Sequence, residues 1–254
     1  MIKISLFLLF FSLLLPERMF NLLSLNIQGF NSNKNLEKIS EIIDNVKDFD
    51  ILTIQENWSY RNTFVEKIKL FNSILDKSKN IFHSTGLTIL FNKSINIVEH
   101  EMINFSYCNG FFFNGSDCFA SKGFIFARIN LSGKFLDVYN THLDAGDSKK
   151  DQSVRNLQLN ELQIYIKNKN SSYPIIITGD FNIDYNSSES SVIKEFIDIL
   201  DLNHVKWDEK YFLDNNVDYI FFNRMGQSNE WLIDNNIYNM SDHPPMSIML
   251  EFKQ

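Results

Sequence analysis

Apolar residues along this chain fall into short runs that alternate between two spacings, and the places where the spacing changes mark its elements. Phe20–Ile27 and Asp50–Gln55 are near-continuous apolar stretches of the kind a sheet buries on both faces. Between them Leu36, Ile39, Ile42, Ile43 and Val46 recur at helical steps and share one arc of a helix. The opening is therefore strand, helix, strand. Gly86–Phe91, Ile95–Met102 and Phe105–Phe113 predict further strands, and Phe124–Asn130 and Phe135–Asn140 predict a hairpin around Ser132-Gly133. Helical spacing returns over Ser153–Lys167, a β-branched run Tyr173–Thr178 ends at Gly179, and Ser190–Leu200 predicts another helix. Val217–Phe222, Glu230–Asp234 and Met246–Phe252 predict the last strands. Elements that alternate at both ends around a strand-rich middle predict an α/β fold of two mixed β-sheets packed face to face and flanked by helices.

Ahead of these elements, Lys3 precedes an apolar run from Ile4 to Leu15 that only Ser5 and Ser12 interrupt and Pro16 stops. A membrane span needs roughly 20 apolar residues. A basic start followed by a shorter apolar stretch matches a secretory signal. Leu14, Leu15, Pro16 and Glu17 offer no small-x-small cleavage pattern, so an uncleaved anchor stays open. Residues 1–18 are expected to be a signal peptide or N-terminal anchor, residues 19–254 a single domain, and the protein secreted or membrane-associated. The composition narrows the field further. With 44% hydrophobic and 22% charged residues the chain is globular, and a net charge of −7 argues against a protein that coats nucleic acid. Two cysteines, Cys108 and Cys118, exclude a disulfide scaffold or Cys-rich metal site; a single bridge and a pair of free thiols are both open.

The candidate chemistry collects where apolar strands end, which is where α/β proteins build sites. Asn26 ends "LLSLNIQGF", Glu56 ends "ILTIQEN", His142 ends "DVYNTHLDAG", Asp180 and Asn182 follow "PIIITGDFN", and Asp242-His243 sit in "NMSDHPP". Taken singly, each has an ordinary alternative: a surface acid, a capping amide, an Asx turn, a structural histidine. Together they supply oxygen ligands for a hard divalent cation beside acid–base groups. Mg²⁺ suits one or two carboxylates and leaves room for a substrate phosphate.

The series "LNIQG", "QEN", "THLDAGD", "GDFNI", "VDYIF" and "SDHPP" resembles the endonuclease/exonuclease/phosphatase superfamily over essentially the whole chain after residue 19. The resemblance implies a four-layer α/β/β/α sandwich, DNase I-like, and divalent-metal phosphoester hydrolysis. Within the superfamily, "SDCFASKGFIFARI", "THLDAGDS" and "SVRNLQLNELQIYIKNKN" are similar to neutral, Mg²⁺-dependent sphingomyelinases. That similarity implies Glu56 as principal metal ligand with Asn26 and with Asp242 nearby, and Mg²⁺ replaceable by Mn²⁺ or Co²⁺. It implies Asp180 and Asn182 as the pair positioning water and phosphate, and His142 as a phosphate-side donor. His243 becomes the general base, oriented by Asp218. Asp117 and Lys122, five residues apart, resemble a paired switch on the catalytic apparatus, and Lys122 also offers a cation to phosphate.

The implied substrate is a phospholipid at a membrane surface, sphingomyelin cleaved to ceramide and phosphocholine. Nucleic acid is the alternative, since a nuclease of this fold would use the same metal and histidines. A non-catalytic binding protein is disfavoured because every expected catalytic position is occupied. Tyr107, Phe111, Phe112, Phe113, Phe119 and Trp231 are candidates for contact with lipid, against which alternate phenylalanines facing a core are the ordinary alternative. The segment between Tyr219 and Ser241 is too short and polar for the long apolar hairpin of some secreted bacterial sphingomyelinases. No protein partner is identifiable, and a monomer is expected.

Overall fold

The computed structural model describes residues 19–29, 35–76, 78, 84–110, 118, 120–169, 172–205, 216–227 and 241–253. Its first sheet contains β1 (Phe20–Asn26), β2 (Ile51–Gln55), β3 (Phe71–Leu75), β4 (Thr88–Asn92), β11 (Met225–Gln227) and β12 (Met246–Phe252), in the order β11-β12-β1-β2-β4-β3. The second contains β5 (Asn96–Asn104), β6 (Gly123–Leu131), β7 (Lys134–His142), β8 (Ile175–Asp180), β9 (Asn203–His204) and β10 (Asp218–Phe222), in the order β5-β6-β7-β8-β10-β9. Both are mixed: β1 pairs β2 in parallel and β7 pairs β8 in parallel, while the other pairs are antiparallel. Helices α1 (Asn35–Val46) and α2 (Arg61–Lys67) flank the first sheet, α3 (Lys149–Lys169) and α4 (Ser190–Leu200) the second.

The layering follows from strands that are apolar on both faces. Leu22, Ile125, Ile176 and Ile220 enter the core between the sheets. Their sequence neighbours Leu23, Phe126, Ile177 and Phe221 point the other way, Leu23 onto α1 and α2 and the other three onto α3 and α4. Successive side chains alternate across a sheet, so a continuous apolar run feeds two interfaces at once. Three apolar interfaces separate four layers, and the expected four-layer α/β/β/α sandwich is the observed fold.

Some sequence expectations change. Phe105–Gly110 is loop rather than strand, because side chains take up its backbone: Asn109 N–H donates to Asp144 Oδ2 at 2.8 Å and Gln158 Nε2 donates to Tyr107 O at 2.8 Å. Cys108 and Cys118 form a disulfide that closes this loop. The α2 helix, the polar edge strand β3, β9 and β11 carry too little periodicity to be read from sequence. Phe111–Asp117, Phe119, the 230–234 strand with Trp231, and residues 1–18 lie outside the described residues. Among the described residues no helix is long and apolar enough to cross a membrane.

Two consequences can be measured. Gly179 has φ 142° in β8, and a Cβ there would collide with the Thr141 backbone on β7. Gly179→Ala is therefore expected to lower unfolding free energy by about 2 kcal/mol or more in urea titrations. Reducing the Cys108–Cys118 bridge is expected to cost about 2–3 kcal/mol, read as a lower melting temperature with reductant than without.

Candidate active site

Strand register gathers the candidate residues at one edge of the sandwich. On the second sheet, His142 at the end of β7 lies opposite Asp180 at the end of β8, which lies opposite Asp218 at the start of β10. Gly123 of β6 lies opposite His142, so the preceding Lys122 reaches the same edge. On the first sheet, Asn26 ends β1 beside Gln55 of β2, and Glu56 follows directly. Asn26 Nδ2 bridges the sheets by donating to Asp180 Oδ2 at 3.0 Å. Below it, Gln55 Nε2 donates to Asn140 Oδ1 at 2.7 Å, and Asn140 Nδ2 donates back to the carbonyls of Ile54 and Thr88, each at 3.0 Å.

Three site residues hold left-handed backbone: Gln28 (φ 48°), Glu56 (φ 57°) and Asn182 (φ 51°). Such conformations persist only where surroundings enforce them. Glu56 is enforced by Gly29, whose N–H donates to Glu56 O at 3.0 Å in a contact too close for any Cβ at residue 29. Asn182 is held by its own N–H on Asp180 Oδ1 at 2.9 Å and by its side-chain amide on Leu143 O at 3.0 Å.

The electrostatics follow from burial. Desolvation raises Glu56, with the Asp180 charge adding to it and Lys122 opposing it. Desolvation and the neighbouring Asp218 lift Asp180 to about 6, and burial also raises Asp218. His243 Nδ1 meets Asp218 Oδ2 at 2.7 Å. Burial works against the imidazolium, but this hydrogen bond and the charges of Asp218, Asp180 and Asp242 outweigh it and raise His243 to about 10. His142 goes the other way: burial, then Lys122 and His243, holds it well below its usual range. The neutral His142 accepts from Lys122 Nζ through Nε2 at 2.7 Å, so its 3.5 Å approach to Asp180 is no ion pair.

Asn26, Glu56, Lys122, His142, Asp180, Asn182, Asp218 and His243 thus share one locus, with Asp242 reached through Gln28 Nε2 at 2.8 Å. Asp117 lies outside the described residues. Lys122 is buried against His142, not displayed on a surface loop. Sequence reasoning missed Gln28, Gln55 and Asn140, although each stands near a motif residue; Gln55 and Asn140 bond across the two sheets and Gln28 holds Asp242, contacts that periodicity does not report.

Carboxylates raised by desolvation lack matching positive charge, and this donor set suits a divalent cation. Oxygen and nitrogen atoms of Asp180, Asp218 and His243 lie within 4.8 Å of one another. A protonated His243 committed to Asp218 is a poor ligand, so Glu56, with Asn26 and Asp180 beside it, is the better place for a cation. A cavity of about 490 Å³ opens next to Asp218, Asp242 and His243.

Residues 23–243 match the Endonuclease/Exonuclease/phosphatase family. Sphingomyelinase C of Bacillus cereus is 34% identical over 102 residues, 38% of this chain and 30% of that protein. The matched segment thus spans under a third of that relative's length. Beta toxin from Staphylococcus aureus with bound magnesium ions superposes with a TM-score of 0.70 at 19% identity, over 93% of this chain and 100% of that one. D. rerio TDP2 complexed with single-strand DNA product superposes with a TM-score of 0.68 at 15% identity, over 92% and 99%.

In metal-free protein, Asp218→Asn removes the charge and acceptor that favour the imidazolium, so the His243 titration followed by NMR is expected to move down from about 10. An unmoved midpoint would mean that Asp218 does not govern this imidazole.

Proposed function

This chain belongs to the Endonuclease/Exonuclease/phosphatase family, and from that premise we propose that it is a metal-dependent phosphodiesterase that hydrolyses sphingomyelin to ceramide and phosphocholine. The observation that carries this reading is His243 bonded to Asp218 beside Asp180, facing the desolvated Glu56 across the sheets. Identity to a Bacillus cereus sphingomyelinase C supports the lipid substrate.

Glu56, Asn26 and Asp242 would hold the cation, Mg²⁺ by preference with Mn²⁺ or Co²⁺ able to substitute, and the magnesium ions bound to beta toxin support that choice. When bound, a divalent cation supplies neutralisation of the phosphate and offsets the carboxylate charge that otherwise favours protonated His243. Asp218 fixes Nδ1 of His243 and leaves Nε2 for water. Asp180 and Asn182 hold that water and the phosphate in line with the leaving oxygen. His243 takes the water proton as oxygen attacks phosphorus, and the bond from phosphorus to the ceramide oxygen breaks. Lys122 would turn its positive charge toward the phosphate and the departing oxygen, held in place by the neutral His142, whose Nε2 accepts from it. The pairing of Lys122 with Asp117 belongs to this proposal as a switch on that charge.

A nuclease is the second reading, since TDP2, which shares this fold, is complexed with a single-strand DNA product. The net charge of −7, and a cavity whose guanidinium, Arg155, is already paired with Glu189, count against a polyanionic strand. Residues 1–18 act in this reading as a signal or anchor, residues 19–254 as the catalytic domain, and the protein works outside the cytosol or at a membrane as a monomer. The Cys108–Cys118 bridge supports an oxidising compartment.

Phosphocholine release from sphingomyelin vesicles is expected to require Mg²⁺, to stop in EDTA, and to fall by about 10²–10⁴ in His243→Ala. Folded, Mg²⁺-supplied protein that releases nothing above the His243→Ala blank would overturn the reading.

A further inference from the structure

The cavity beside His243 lies between the loop after β7, at Gly146 and Asp147, and the loop after β8, at Asp184, Ser187 and Ser188. Asp218 and His243 form one end of it, so what it holds sits next to the reacting phosphorus. Among the described residues its wall is polar, with Val217 and Pro244 as the apolar exceptions, which suits a polar substituent better than acyl chains. The occupant is therefore a small polar substituent of the phosphate.

The charge of that substituent follows from how the wall is wired. Arg155, 2% exposed, donates through Nε and one terminal nitrogen to Glu189 at 2.9 and 2.6 Å. Its other terminal nitrogen donates to the carbonyls of Asp144 and Gly146 at 3.1 and 2.7 Å. The guanidinium is spent on pinning the two loops to each other and presents little to a ligand. Acceptors remain in surplus. Asp184 Oδ1 takes the Asn186 N–H at 2.9 Å, and its second oxygen has no donor among the described residues. Asp147 is exposed and has no partner among them either.

A trimethylammonium group has no N–H to donate and is recognised by aromatic faces. A primary ammonium carries three N–H donors, which match carboxylate and hydroxyl acceptors. We propose that the cavity is the headgroup subsite and takes a protonated primary amine, so that the lipid preferred is a ceramide phosphoethanolamine, with sphingomyelin the slower substrate. This rests on the phosphodiesterase reading above, and it makes Asp147 and Asp184 specificity-determining residues.

The test compares ceramide phosphoethanolamine with sphingomyelin, at equal surface fraction in the same carrier vesicles with Mg²⁺, using the full chain. The primary amine is expected to have a kcat/KM about 10-fold higher or more. Asp147→Asn with Asp184→Asn is expected to bring that ratio toward one, chiefly through KM. Asp147→Asn alone, at an exposed position, gives a partial fall and keeps the test open should the double variant not fold. Equal or faster cleavage of sphingomyelin by the unsubstituted protein, or a ratio insensitive to both substitutions, overturns the proposal. Cleavage of neither lipid sinks the sphingolipid-substrate reading instead. Calorimetric titration with phosphoethanolamine and phosphocholine then decides the cavity: tighter phosphoethanolamine binding that the substitutions abolish supports it, and equal binding overturns it.

Discussion

Everything at this edge of the sandwich depends on keeping three carboxylates, Glu56, Asp180 and Asp218, away from water and close to one another. Burial alone would protonate or expel them. They stay because each is fixed by backbone: Asp180 and Asp218 by paired positions on β8 and β10, Glu56 by a left-handed turn that Gly29 locks. The result is a concentration of desolvated negative charge, which draws a proton onto His243 in one direction and suits a divalent cation in the other. In the proposed function the same charge would hold the neutralising cation, and that cation would in turn release His243 to take a proton from water.

The two sheets must not slide for the condition to hold. Apolar packing between them is extensive but not directional. The polar contacts at the catalytic end supply direction: Asn26 on Asp180, and Gln55 with Asn140 interlocked across the sheets. Buried, mutually satisfied amides tolerate few alternative arrangements, because any slip leaves a donor or acceptor unpaired. Arg155 plays the equivalent part for the loops, joining the segment after His142 to the start of α4. The motif-bearing edge and the cavity are thus held by separate polar clamps.

Family membership settles the scaffold and leaves the substrate to the loops. The same sandwich superposes on a toxin with bound magnesium ions and on TDP2 complexed with a single-strand DNA product, each at under 20% identity. In this chain the described residues that line the cavity are rich in acceptors, and their one guanidinium is paired with Glu189. That wall is what the proposed preference for an amine over a nucleic-acid backbone rests on.

Local pattern alone carried most of the architecture: continuous apolar runs demanded strands covered on both faces, and three- and four-residue steps demanded the helices that cover them. The motif residues Asn26, Glu56, His142, Asp180, Asp218 and His243 were legible for a related reason, since polar residues at the ends of buried strands stand out against their neighbours. The short polar strand β3 and the loop at Phe105–Gly110 were not legible, because an edge position and a disulfide-closed loop override local propensity. Neither were the protonation states. His142 and His243 look alike in sequence, each an imidazole near the end of an apolar run, yet one is held neutral by Lys122 and burial while the other is charged by Asp218. Spacing along a chain specifies which face a residue occupies; which charge stands 3 Å away, contributed from a distant segment, is decided only when the sheets close.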